Sequence, residues 1–218
     1  MKVKLLHSTP LWVASTAIRK CWASEDKSDS YLEETWDDIN KFPIHTEMIC
    51  GQKDKELIER VGNKNKHSST LEHLNYSFDI DGISRACLQE LARHRMASLS
   101  VKSTRYTLKE LKDGRPEEFM VETNDANINH RNLKKMFEIK ELLNKGQIGN
   151  DTAKYLIPEC YKTSLVWTVN ARALQNFLSL RTDKSALWEI QDLAREIFKQ
   201  LPEEHKYLFV DYVKEKIR

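Results

Sequence analysis

The sequence predicts an α+β domain, on three observations. Leu74, Tyr76, Phe78 and Ile80 alternate with polar residues, as do Thr163, Leu165, Trp167 and Val169. A period of two marks a strand with one buried face. Leu187, Ile190, Ala194, Ile197, Phe198 and Leu201 instead fall on one helical stripe, which Pro202 ends. Strands and helices do not follow the βαβ rhythm that a parallel sheet requires. With 218 residues and no repeat, low-complexity tract or Pro/Gly/Ser linker, residues 1–218 are expected to form a single domain.

The elements follow in order. Lys2 to Leu6 suits a short opening strand. The polar stretch SEDKSDS, residues 24–30, has the composition of a loop that caps a helix starting near Tyr31, with Leu32, Trp36 and Ile39 on one face. Asp54 to Val61 suits a second short helix with Gly62 as its C-cap. The strand at 74–80 is expected to end at Asp81-Gly82. Ile83, Ala86, Cys87 and Leu91 then recur at helical spacing and lead into Arg93-His94-Arg95. A helix near 129–145 should stop at Gly146. The second alternating stretch runs into Asn170, and from Ala171 the period turns helical.

Composition narrows the function classes. A hydrophobic fraction of 40% with 31% charged residues describes a soluble globular chain. No apolar run approaches the roughly 20 residues of a membrane span. Lys4, His7, Ser8 and Pro10 interrupt any signal-peptide core, so a cytoplasmic protein without a membrane partner is expected. A formal net charge of +2 does not favour wrapping around nucleic acid, so anions must be met by local clusters. The four cysteines are far apart and form no CxxC pair, as in reduced thiols with no metal framework. None of the six glycines builds a GxGxxG or Walker-type loop.

Three clusters could carry chemistry. RHRMASLSVKSTRY, residues 93–106, packs Arg93, Arg95, Lys102 and Arg105 among Ser98, Ser100 and Ser103. Guanidinium forks bind phosphate oxygens bidentately, and hydroxyls complete the shell. A basic helix end with serine-rich turn chemistry would look much the same. A nucleic-acid module would interleave aromatics with such bases, and here only Tyr106 is aromatic. In WTVNARALQNFLSLR, residues 167–181, a helix from Ala171 puts Arg172 and Asn176 on one face and Arg181 nearly opposite. HSSTLEH, residues 67–73, has two histidines six apart, which is not the metalloprotease spacing.

Together these clusters resemble the flavin-dependent thymidylate synthase family, ThyX. Its signature is R-H-R, seven residues, then Ser. Here that is Arg93-His94-Arg95, MASLSVK and Ser103, followed by Thr104-Arg105-Tyr106. HSSTLEH is similar to the family's upstream histidine motif and WTVNARALQNFLSLR to its downstream one, all in order over about residues 65–200. The resemblance implies a mixed or antiparallel sheet flanked by helices. It implies reductive methylation of dUMP to dTMP, with FAD carrying the hydride, NADPH recharging it and methylenetetrahydrofolate donating the carbon.

The resemblance also implies roles. Ser69, Arg93, His94, Arg95, Asn170, Arg172 and Asn176 would hold FAD, with His67 an essential residue near the flavin. Arg93, Lys102, Ser103, Thr104 and Arg105 would line dUMP, and Arg181 would contact the uracil and help ionise its N3. Three positions depart from the pattern. The usual Gln three before the first arginine is Glu90, with Gln89 beside it; the Glu two before the serine is Val101; the Arg ahead of the second strand is Lys154. Lysine still neutralises phosphate, as a point charge rather than a fork. A homotetramer with shared sites is implied too. The apolar stretch from Thr163 to Leu180 and the 187–201 stripe together offer more apolar surface than a 25.6 kDa protomer readily buries.

Overall fold

The computed structural model describes residues 1–36 and 43–214. Six strands occur among them: β1 (Lys2–Ser8), β2 (Tyr31–Trp36), β3 (Pro43–Ile49), β4 (Asn75–Ser84), β5 (Ala97–Val101) and β6 (Lys162–Asn170). The main sheet has the order β1-β4-β6-β5 with every neighbour antiparallel, and β2 and β3 form a separate antiparallel hairpin. Nine α-helical stretches accompany them: α1 (Leu11–Cys21), α2 (Gln52–Ile58), α3 (Arg85–Leu91), α4 (Thr104–Thr107), α5 (Glu110–Asp113), α6 (Ala126–Asn144), α7 (Asn150–Ala153), α8 (Ala171–Arg181) and α9 (Trp188–Gln200). The class is α+β, as the alternation in 74–80 and 163–169 predicts.

That alternation is realised in the core. Tyr76, Phe78, Ile80, Leu165, Trp167 and Val169 are buried in one cluster with Leu174, Phe177 and Leu178 of α8 and Ile190, Leu193, Ala194 and Ile197 of α9. Trp167 packs between Phe78 and Phe177, with ring centroids 6.2 and 4.9 Å away. Each such side chain stabilises the fold by about 1.5–3 kcal/mol through burial. A second cluster, with Leu108, Leu111, Met136, Ile139, Leu143, Ala153 and Tyr161, lies under α4 to α7.

The back of α8 is tied down by polar contacts. Gln175 Nε2 donates to Asn63 Oδ1 and to the Leu208 carbonyl, each at 2.8 Å. At its end, Arg195 Nη2 donates to the Thr182 carbonyl at 3.0 Å, and Lys214 N donates to Thr182 Oγ1 at 2.8 Å. Buried and satisfied, these bonds fix one rotation of the helix and so decide which residues its other face presents.

Several expectations are corrected. Tyr31–Trp36 is a strand, not the start of a helix, while Ile39 lies outside the described residues. The capping residues of 24–30 are used elsewhere: Asp29 accepts from the backbone N–H of Lys53 (2.8 Å) and Asp54 (2.9 Å), at the start of α2. That helix has Gly51 at its N-cap, with no side chain of its own to do so. Ser28 and Ser30 donate to Asp54, which also pairs with Arg19. Gly62 does not end a helix. The chain continues as a π-helical segment, Glu59–Lys64, in which a Cβ at Gly62 would meet Leu71 Cδ2 at 2.8 Å. Gly82 is likewise not a strand end; it sits at a bulge with φ +76° and β4 runs on to Ser84, so Ile83 belongs to the strand. The stop at Gly146 is as expected, with φ +64°. No helix among the described residues is long and apolar enough to cross a membrane.

Candidate functional site

The turn after α3 and the front of α8 enclose a cavity of about 740 Å³. Its lining includes Glu72, Arg93, His94, Arg95, Met96, Asn170, Arg172, Asn176, Leu180 and Arg181. The local sequence explains the placement. Ser84 caps α3, accepting from Cys87 N at 3.0 Å, and the helix stops at Leu91, so Arg93 to Met96 form an irregular link into β5. Strand β6 delivers Asn170 directly to the N-cap of α8, where its Oδ1 accepts from Ala173 N at 2.9 Å. The helix therefore begins at the cavity with its positive dipole end.

Arg93 and Arg95 are exposed and make no ion pair or side-chain hydrogen bond among the described residues. Arg172 leans on Glu72, 2.7 Å away, in a pair whose side chains are 57% and 44% exposed. Two unpartnered guanidiniums and a third on a replaceable acid, beside a helix N-terminus, suit a ligand with several phosphate oxygens. Asn176 borders the same space and brings a carboxamide.

Arg181 behaves differently. Its Nη1 donates to Glu90 Oε2 at 2.6 Å, its Nη2 to the Glu90 carbonyl at 3.1 Å and its Nε to His94 Nε2 at 2.9 Å. Burial pushes the His94 pKa down to about 4, and Arg181 adds to this while Glu90 opposes it. The neutral ring that results accepts at Nε2, so its proton sits on Nδ1. Glu90, not Gln89, thus faces this site; Gln89 Nε2 donates to Glu159 at 2.8 Å instead. The helical wheel puts Arg181 half a turn from Arg172, yet both border one cavity. Arg181 lies in the last turn of α8, and its long side chain is drawn to residues 90–94.

The other expected ligands stand at the far end of β5. Lys102 pairs with Glu110 at 2.6 Å, Ser103 is the N-cap of α4, and Thr104 is buried. Arg105 Nε donates to Asp151 Oδ1 at 2.9 Å, which raises its pKa. Val101 is part-exposed on the edge strand, and Lys154 follows α7. The five residues of β5 separate this group from Met96, so Met96 and Lys102 lie about 20 Å apart at the usual rise of about 3.3 Å per residue. The register agrees: Ala97 faces Val169 and Val101 faces Leu165. The site residues are therefore gathered in two groups, at opposite ends of β5 and β6.

His67 and Ser69 are exposed and lie outside the cavity's lining, on the segment that ends with Glu72. Glu72 itself was visible within HSSTLEH but carries no mark of its own; only the fold sets it against Arg172. Asp151, the partner of Arg105, has no sequence signal. Burial pushes the Cys50, Cys87 and Cys160 thiols above their ordinary range, away from thiolate chemistry. A cavity of about 760 Å³ beside Trp188 and Arg195 holds none of the expected residues.

Comparison with known proteins bears on this geometry. A family model described as thymidylate synthase complementing protein (Thy1) matches residues 4–205. A Wolinella succinogenes protein called flavin-dependent thymidylate synthase is 54% identical, over 96% of this chain and 97% of its own. One of the same name from Campylobacter jejuni strain RM1221 is 49% identical over 96% of each. The crystal structure of ThyX from Helicobacter pylori with FAD and dUMP superposes with a TM-score of 0.86. It shares 47% identity and covers 99% of this chain and 100% of that one.

Proposed function

The chain belongs to the flavin-dependent thymidylate synthase family, and from that premise we propose that it converts dUMP to dTMP, taking its carbon from methylenetetrahydrofolate and its reducing power from NADPH through FAD. The observation that carries this is the pair Arg93 and Arg95, unpartnered at the N-terminus of α8 in the cavity that also holds Arg181. The residues present fit FAD. Arg93, Arg95 and Arg172 would meet its diphosphate, and Asn170, Asn176, His94 and Ser69 its polar edges, with His67 near the flavin. When bound, FAD supplies the hydride that the transferred carbon needs.

The chain's own residues bind, orient and stabilise charge. Arg181, held on the 90–94 turn, offers N–H donors to the pyrimidine and favours the form in which N3 has lost its proton. At the far end of β5, Lys102, Ser103, Thr104, Arg105 and Lys154 suit a phosphate and a sugar. We place this chemistry in one domain of residues 1–218, in the cytoplasm, with no step assigned to a cysteine or a metal.

The separation of the two groups along β5 supports an active homotetramer in which one protomer supplies Arg93 and Arg181 and another supplies Ser103 and Arg105. Mixing Arg105→Ala with Arg181→Ala protomers should then restore about a quarter of the sites, as random pairing of halves allows. No restoration after subunit exchange would rule out sharing. For the reaction, purified protein should be yellow and release tritium from dUMP labelled at C5 only when methylenetetrahydrofolate and NADPH are both supplied. Release without either would sink the assignment.

A further inference from the structure

Resting on that reading of the reaction, we propose that Glu90 is a positioning residue for Arg181 that stays paired with it during turnover, so that its negative charge sets how readily the bound pyrimidine loses the N3 proton. The contacts point this way. All three bonds of the Arg181 guanidinium go to one short turn: two to Glu90, through carboxylate and carbonyl, and one to His94. Three of five N–H donors are used, leaving one on each terminal nitrogen for a ligand.

The Glu90 carbonyl is available because it lies in the last turn of α3, where carbonyls have no partner within the helix. Its carboxylate also stands at the negative end of the helix dipole, where an acid is unfavourable on local grounds. Arg181 offsets both. Its side chain is 16% exposed, against 57% for Arg172, while the Glu90 carboxylate is 38% exposed; the guanidinium is thus shielded from water, and its three bonds to the 90–94 turn hold it in one geometry. The neutral His94, edge-on to Phe177 at 5.0 Å, closes the other side.

The consequence is electrostatic. Arg181 lowers the free energy of an N3 anion beside it, and Glu90 partly cancels that field while it fixes the geometry. Arg93, Arg95 and the Arg172–Glu72 pair line the same cavity and keep their charges when Glu90 is neutralised. Cys87, which burial, Glu189 and Glu90 push up, stays a thiol, and His94, which burial and Arg181 push down and Glu90 alone pulls up, stays neutral. The proton leaving N3 goes to solvent.

The test uses holoenzyme, with pH profiles of kcat/KM for dUMP and calorimetric Kd values for 5-fluoro-dUMP across the same range. Glu90→Gln keeps the shape and the hydrogen bond but removes the charge. Both profiles should move about one pH unit lower, the size expected of one charge at this range. Glu90→Asp keeps the charge but pulls the carboxylate back, so its midpoint should match the wild type while kcat falls about tenfold. Profiles of Glu90→Gln that coincide with the wild type, with only KM altered, would overturn the proposal, because Glu90 would then merely compete with substrate. Should Glu90→Gln not fold, an undiminished kcat in Glu90→Asp would overturn it equally. Failure of the assigned reaction is distinct: wild-type enzyme would then release no tritium at any pH.

Discussion

Removing the charge of Glu72, which lines the cavity and holds Arg172, should tighten flavin binding. In the free chain Arg172 Nη1 rests 2.7 Å from Glu72 Oε1, with both side chains about half exposed. A flavin phosphate that recruits Arg172 must first take it from that acid. Exposed pairs of this kind contribute about 0.2–1 kcal/mol. Glu72→Gln should therefore lower the Kd for FAD by about 1.5- to 5-fold. Arg95 has no partner to surrender, so Arg95→Ala should forfeit a full charge-assisted contact, about 1.5–3 kcal/mol, or about ten- to a hundredfold in Kd. Arg172→Ala should cost less than Arg95→Ala by about the worth of its ion pair. Titration of apoprotein with FAD, followed by flavin fluorescence, gives all three values. The decisive comparison is Glu72→Gln made in the Arg172→Ala background, where its benefit should vanish. If Glu72→Gln weakens FAD, or helps equally without Arg172, the reasoning fails.

Two further outcomes are expected. Replacing Cys21, Cys50, Cys87 and Cys160 together by Ala should leave dTMP formation largely intact, since burial holds three of these thiols protonated; a folded variant that binds FAD and dUMP but forms no dTMP would contradict this. Burial pushes His205 down to about 4 from an ordinary 6.5, with Glu204 opposing and Lys55 adding, while its Nδ1 lies 2.8 Å from the Tyr76 hydroxyl. Its folded pKa is depressed, so the stability it contributes is present above pH 6.5 and is lost as pH falls towards 4, by up to about 3 kcal/mol. Urea unfolding of His205→Gln should lose less stability over that window than the wild type; parallel curves would exclude His205 as the cause.

What the sequence made legible was periodic or local. Strands β4 and β6 and helix α9 bury one face, so their spacing alone reports them. The hairpin of β2 and β3 was not legible because its signals are non-local. The serines and aspartates of 24–30 have the composition of a cap, but the helix they serve begins more than twenty residues later, at Gln52. Strand β5 was hidden for another reason. Ala97, Leu99 and Val101 do alternate with Ser98 and Ser100, but the run is five residues long and ends on an exposed valine at the sheet edge. It also lies inside the basic, serine-rich stretch 93–106 that has the composition of a turn. The motif arginines were legible as chemistry, whereas their acidic partners, Glu72 and Asp151, are ordinary surface residues until the fold brings them near. Gln89 and Glu90 could not be separated by spacing. The helix does so, turning one towards Glu159 and the other towards Arg181.

Those partners also explain how a chain of net charge +2 can present so many cations to anionic ligands. Lys102 rests on Glu110, Arg105 on Asp151 and Arg172 on Glu72, every side chain of these pairs at least 39% exposed. In water such pairs are weak, so a phosphate can replace the acid with little loss, and the empty surface stays near neutral in the meantime. Among the described residues Arg93, Arg95 and Lys154 have no acidic partner, and the two arginines stand where the N-terminus of α8 already favours an anion. Arg181 breaks the pattern in the one place where precision matters more than charge. Its guanidinium is shielded though Glu90 is not, its bonds are three, and its partner sits on the same short turn as the motif histidine. Exchangeable pairs suit phosphate capture, which tolerates several geometries. A shielded guanidinium suits a ring whose N3 must meet one N–H donor at one angle, and on the proposed function the difference in burial between Arg172 and Arg181, on the same helix, would let this chain make both.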